Sequence, residues 1–206
     1  MHRHRRPWCS LCLVLCCSIG CSGRKSRLAQ PGIEAGAAEA AIAEYDTNGD
    51  GAIGGDELNK VPALKASLKR ADKNGDGKIS ADEIDERLAV WKNSQLALTR
   101  VVAVVRQGGR PLPDAEVTLV PEKFLGPDVK AAKGTTDATG SVHLKISTDP
   151  DEAGVHLGYY RVEVSKKKAD GSEAIPARFN SETEFGLEVA PDDPNLDRVV
   201  LDMSSR

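Results

Sequence analysis

At 206 residues the chain is long enough for one or two domains with real cores, and an aromatic content of 4% makes those cores aliphatic and modest. All five cysteines (Cys9, Cys12, Cys16, Cys17 and Cys21) lie within the first 21 residues, which excludes a disulfide framework or a thiolate metal site in the remainder. Residues 1–20 hold three arginines and no acid, so without them 25 of the 28 lysines and arginines face 31 acids, a net charge of about −6 that disfavours nucleic acid as a partner.

The chain opens on a basic stretch, MHRHRRPW, continues with the apolar run CSLCLVLCCSIG and reaches Cys21 after a small glycine. This is the layout of a secretory signal, and the run is too short to stay as a membrane span. Ser18-Ile19-Gly20-Cys21 resembles a bacterial lipobox, in which the cysteine is lipidated and becomes the first mature residue. Ser18 stands where an aliphatic residue is usual, so signal cleavage without a lipid is the alternative. On this reading residues 1–20 are a signal peptide and 21–33 a lipid-attached linker. Its Arg24, Lys25 and Arg27 either lie near anionic headgroups or form a solvated tether.

From about Glu34 to Tyr45 the chain is rich in alanine and predicts a helix leading into YDTNGDGAIGGDEL. There Asp46, Asn48 and Asp50 alternate, Gly51 follows at once and Glu57 comes six residues later. That spacing fits D-x-[DN]-x-[DN]-G-x5-E. Alternate oxygen side chains converge on a hard cation, the glycine takes the sharp turn and the final glutamate supplies two oxygens. A second stretch, DKNGDGKISADE, repeats the pattern with Asp72, Asn74, Asp76, Gly77 and Glu83. Two calcium sites are expected. Asp46, Asn48, Asp50, the carbonyl of Ala52 and Glu57 would serve one; Asp72, Asn74, Asp76, the carbonyl of Lys78, Ser80 and Glu83 would serve the other. Gly54 and Gly55 leave the first loop without a side-chain ligand at its ninth position, where the second has Ser80. With three carboxylates each, the sites belong at the weak, extracellular end of the affinity range, on the order of 10⁻⁴ M.

The loops start 26 residues apart and leave 14 residues between Glu57 and Asp72, room for barely one helix. Pro62 suits its first turn, and Leu64 and Leu68 share a face. Ser80 and Glu83 form a capping box for a helix carrying Ile84, Leu88 and Trp91. So compact a pair, in a chain with two methionines, does not suit a sensor that swings helices apart over a Met-rich groove. It resembles the tandem EF-hands of many secreted bacterial proteins, and Ile53 and Ile79, both at the eighth loop position, are expected to pair.

After Asn93 the period changes. LTRVVAVVRQ, EVTLVPE, GTTDATGSVHLKIS, GYYRVEVSKK, TEFGLEVA and DRVVLDM predict six or seven short strands of an antiparallel sandwich, with Tyr160, Val162 and Val164 on one side of theirs. The fold class is thus α+β, a helical pair of hands over 34–93 followed by a β-sandwich over 98–206. Gly109 to Val117 (GRPLPDAEV), Thr136 to Gly140 (TDATG), Gly158 to Val164 (GYYRVEV) and Ile175 to Asn180 (IPARFN) resemble the carboxypeptidase regulatory-like, or transthyretin-like, sandwich of bacterial lipoproteins. That resemblance implies a non-catalytic accessory or adhesion-type domain.

Beyond residue 20 only His143 and His156 are available as imidazole bases, and neither sits in a nucleophile motif. The expectation is therefore a non-enzymatic calcium-binding protein, exported and held at the membrane of the cell envelope by an N-terminal lipid, on the periplasmic or surface face. An envelope protein or a glycan is the partner expected of its sandwich. The alternative is a carbohydrate- or peptide-binding receptor rigidified by calcium, which requires Tyr159 and Phe185 to share an exposed face. Since the sandwich has no matching loop, calcium is expected to stabilise residues 34–93 and to leave 98–206 unchanged.

Overall fold

The computed structural model describes residues 28–149 and 152–204; the signal-like segment and Cys21 lie outside the described residues. The first half runs α1 (Ala37–Tyr45), β1 (Ala52–Gly54), a 3₁₀ turn (Glu57–Lys60), α2 (Pro62–Ala71), β2 (Lys78–Ser80) and α3 (Ala81–Ser94). Five of the nine residues of α1 are alanine, the strongest helix former, and the buried Ala37, Ala38 and Ala41 let its backbone lie close on α3. α2 starts at Pro62, whose missing N–H costs nothing in the first turn, and this single helix both leaves the first loop and enters the second. α3 begins with the capping box, Ser80 and Glu83 bonding reciprocally. Between the loops β1 and β2 pair antiparallel, with Ile53 opposite Ile79 and both fully buried.

The second half is a sandwich of two sheets. In one, β3 (Val101–Gln107) carries β10 (Val199–Met203) on one side and β4 (Arg110–Pro111) and β7 (Ser141–Leu144) on the other. In the second the order is β6 (Ala132–Thr135), β5 (Glu116–Pro121), β8 (Gly158–Ser165), β9 (Gly186–Val189). Every pairing is antiparallel except β10 with β3, which is parallel. Along β8 the side chains of Tyr160, Val162 and Val164 are buried, while Arg161, Glu163 and Ser165 are half-buried on the opposite face, the alternation of a strand with one face in the core.

Tyr159 breaks that alternation. It belongs to the outer face yet is fully buried, because the helices lie over it. Its ring meets Trp91 of α3 at 4.8 Å between centroids and Phe124 at 6.1 Å, and Phe124 meets Tyr45 of α1 at 6.5 Å. α2 packs on β8 and β9, so closely that a Cβ on Gly186 would run into the carbonyl of Pro62. Helices, outer sheet and inner sheet form three layers, and one continuous set of buried side chains runs from Ala37 to Met203. This changes the expectation that calcium acts on residues 34–93 alone: Trp91, Tyr159 and Phe124 belong to one core, so strain or order in the helices reaches the sheet.

Part of the segment expected as linker also lies on this body. Gln30 Nε2 donates to the carbonyls of Trp91 and Leu96, each at 3.1 Å, and just past the linker Glu34 N donates to Leu125 O at 3.1 Å. Among the described residues no helix is long and apolar enough to cross a membrane.

Candidate metal centre

The two loops repeat the same bonds from backbone amides to side-chain oxygens, position for position. Asp46 accepts from Gly49 N at 2.7 Å and Gly51 N at 2.8 Å, and Asp72 from Gly75 N at 2.6 Å and Gly77 N at 2.9 Å. Asn48 Oδ1 takes Asp50 N at 3.0 Å and Asn74 Oδ1 takes Asp76 N at 2.8 Å. Asp50 Oδ1 takes Ala52 N at 3.2 Å and Asp76 Oδ1 takes Lys78 N at 2.9 Å. Each side chain thus folds over its own turn, as short Asx residues do. Gly51 and Gly77 have φ of 87° and 80°, a left-handed conformation that explains why glycine follows the third oxygen residue.

The closing glutamates bridge both ends of their loops. Glu57 Oε1 accepts from Thr47 N at 2.8 Å and Asn48 N at 3.1 Å, and its Oε2 from Gly54 N at 3.1 Å. Glu83 does the same with Lys73 N at 2.9 Å and Asn74 N at 3.4 Å on one oxygen and Ser80 N at 2.9 Å on the other. The Gly54 amide leads the bonds that hold the Glu57 carboxyl below the usual carboxylate range. For Glu83 burial works upward, but the Ser80 and Lys73 amides outweigh it and the result is again downward.

As the side chains stand, no three acid, histidine or cysteine groups among the described residues converge on one point; the carboxylates hold loop amides instead. The donor set nevertheless suits a hard cation. All side-chain candidates offer oxygen, each candidate site includes three carboxylates, and the twelfth residue already reaches back to the second and third, so an ion would replace amide bonds that the acids now make. The carbonyls of Ala52 and Lys78 stand in the paired β1 and β2, where the ladder fixes them.

Lys78 is a feature the spacing did not announce. Its ammonium crosses from the second loop to Asp50 Oδ2 of the first, 2.7 Å away, and holds the Asp50 carboxyl below its ordinary range. A Cβ on Gly54 would lie 2.7 Å from Lys78 Cγ, so the glycine that looked like a missing ligand also makes room for the lysine stem. Both groups are substantially exposed, so solvent screens the pair and it is weak beside a divalent cation.

The remaining candidates fall elsewhere. His143 is exposed on β7, whereas His156 is buried, accepts from Lys130 N at 3.2 Å, and lines a cleft of about 310 Å³ in which His143 takes no part. Tyr159 and Phe185 do not share an exposed face, since Tyr159 lies under Trp91. Cys21 lies outside the described residues.

No curated protein matches the chain. The EF hand family model matches residues 39–62 and 64–88, one match for each loop with its flanking helices. Residues 39–88 are thus a tandem EF-hand module, set here against a β-sandwich.

Proposed function

We propose that the protein is an exported calcium-binding protein, held at the cell envelope by a lipid on Cys21, whose sandwich is a non-catalytic structural or interaction domain of the carboxypeptidase regulatory-like type. The observation that carries the calcium part is the doubled loop, with Glu57 and Glu83 each seated between the two ends of its own turn. In this reading Asp46, Asn48, Asp50, Ala52 O and Glu57 hold one ion, and Asp72, Asn74, Asp76, Lys78 O, Ser80 and Glu83 the other. The ion offsets the repulsion among the acids and fixes helices whose apolar faces are small. Its role is structural, because α2 serves both loops and cannot swing away from one without displacing the other.

Calcium titration of the full chain by calorimetry tests the ion. Two sites are expected, with Glu57→Gln and Glu83→Gln each removing one. Heat from one site in the wild type, or two sites surviving either change, would contradict the assignment. The anchor is tested separately: Cys21→Ala should abolish labelling by a fatty-acid analogue and release the protein from membranes. An unlabelled wild type whose mature N-terminus is not residue 21 rules out the anchored form.

A further inference from the structure

Arg70 lies two residues before Asp72, where the second loop begins, and Arg87 lies four after Glu83, where it ends. Both guanidinium groups finish on one carboxylate of the sandwich. Glu188, on β9 and fully buried, accepts from Arg70 Nε at 2.8 Å through Oε2, and from Arg87 Nη2 at 2.6 Å and Nε at 2.9 Å through Oε1. Arg87, itself 2% exposed, also closes its fork on Asp192 at 2.8 and 2.9 Å. Arg70 Nη1 reaches Asp193 at 3.0 Å. A carboxylate this deep is tolerated only when paired and hydrogen-bonded, so Glu188 depends on both helices being where they are. The first loop shares α2, and so the Arg70 bond, but among the described residues no guanidinium ties the helix that enters it to the sandwich. Its entering helix is tied to the sandwich by one neutral donor, the Tyr45 hydroxyl on Glu122 at 3.1 Å, and its Asp50 is shared with Lys78.

We propose that Glu188 is a positioning residue for the second calcium loop: by holding Arg70 and Arg87 together it fixes the spacing of the helices that deliver Asp72 and Glu83, and so favours calcium in that loop over the first. The inference rests on the calcium reading of the loops. An ion bound by a floppy loop must order the flanking helices as it binds, and that ordering subtracts from affinity; a spacing fixed in advance removes the cost. Linkage makes the effect mutual. Calcium in the second loop must tighten the hold of α2 and α3 on β9.

Calorimetric titration of the full chain, with one loop disabled at a time, separates this from a general loss of stability. In the Glu57→Gln background, where the second loop remains, Glu188→Gln should weaken calcium binding about tenfold or more, the usual scale for groups that orient metal ligands. In the Glu83→Gln background, where the first loop remains, the change should stay below about twofold. Arg70→Gln leaves Glu188 its bonds to Arg87 and should weaken the second loop more than the first in the same comparison; it decides the matter if circular dichroism shows Glu188→Gln to be unfolded. Equal weakening of both loops, or of neither, overturns the positioning role. A wild-type chain that gives no calcium heat overturns the calcium reading itself, and this inference with it.

Discussion

Glu122 and Glu188 are both buried where the hands meet the sandwich, but Glu188 meets two guanidinium groups and Glu122 only a phenol. The Glu122 Oε1 atom has no hydrogen-bond partner, and burial pushes the carboxyl up from 4.5 to about 7 against the smaller downward pull of Tyr45 and Arg161. The folded chain therefore keeps a proton between about pH 4.5 and 7 that the unfolded chain has released. Stability from this group is fully present below the lower value and lost as pH rises to the upper one, by about 3 kcal/mol in all. The other charges facing the group are Glu44 and Lys123, and neither reverses the sign. Urea denaturation at pH 4.5, 6 and 8 should show Glu122→Gln gaining on the wild type as pH rises; parallel curves would contradict the assignment. At Gly186 the constraint is space. Gly186→Val would drive a side chain into the Pro62 carbonyl and should cost about 3 kcal/mol in the same measurement.

Among the elements, α1 is made of small residues because its neighbours are close. Ala38 and Ala41 are 0% exposed and three apart, on the face turned to α3, whereas Ala43 is exposed. Ala41→Leu should lower stability by about 1–3 kcal/mol through overpacking, and Ala43→Leu should change it by less than about 0.5 kcal/mol, as read from thermal melts. The loops, α2 and α3 were legible in the sequence because their constraints are local: a glycine that must take positive φ, an oxygen at every second residue, a proline at a helix start, a serine three before a glutamate. The crossing of Lys78 to Asp50 was not, since it depends on the β1–β2 register that sets Gly54 opposite Lys78.

At the scale of the molecule, alternation located the strands but hid the third layer. Tyr159, Gly186 and Glu188 sit at positions that period two assigns to the outer face, and nothing nearby in sequence says that this face is covered by helices drawn from a hundred residues earlier. The clamp on Glu188 was invisible for the same reason, since Arg70 and Arg87 look like ordinary charged residues on helical surfaces. The parallel pairing of β10 with β3 is likewise a long-range choice that leaves no local mark. What the three layers imply is that calcium acts on the whole chain. At a hundredfold excess over its dissociation constant each independent site stabilises by about 2.7 kcal/mol, so two sites raise the melting temperature of a chain this size by roughly 10–20 °C. Differential scanning calorimetry of the full chain, in calcium and in chelator, tests this most directly. One cooperative transition that moves upward as a unit with calcium is the predicted result; two transitions, the sandwich melting at a temperature indifferent to calcium, would contradict it.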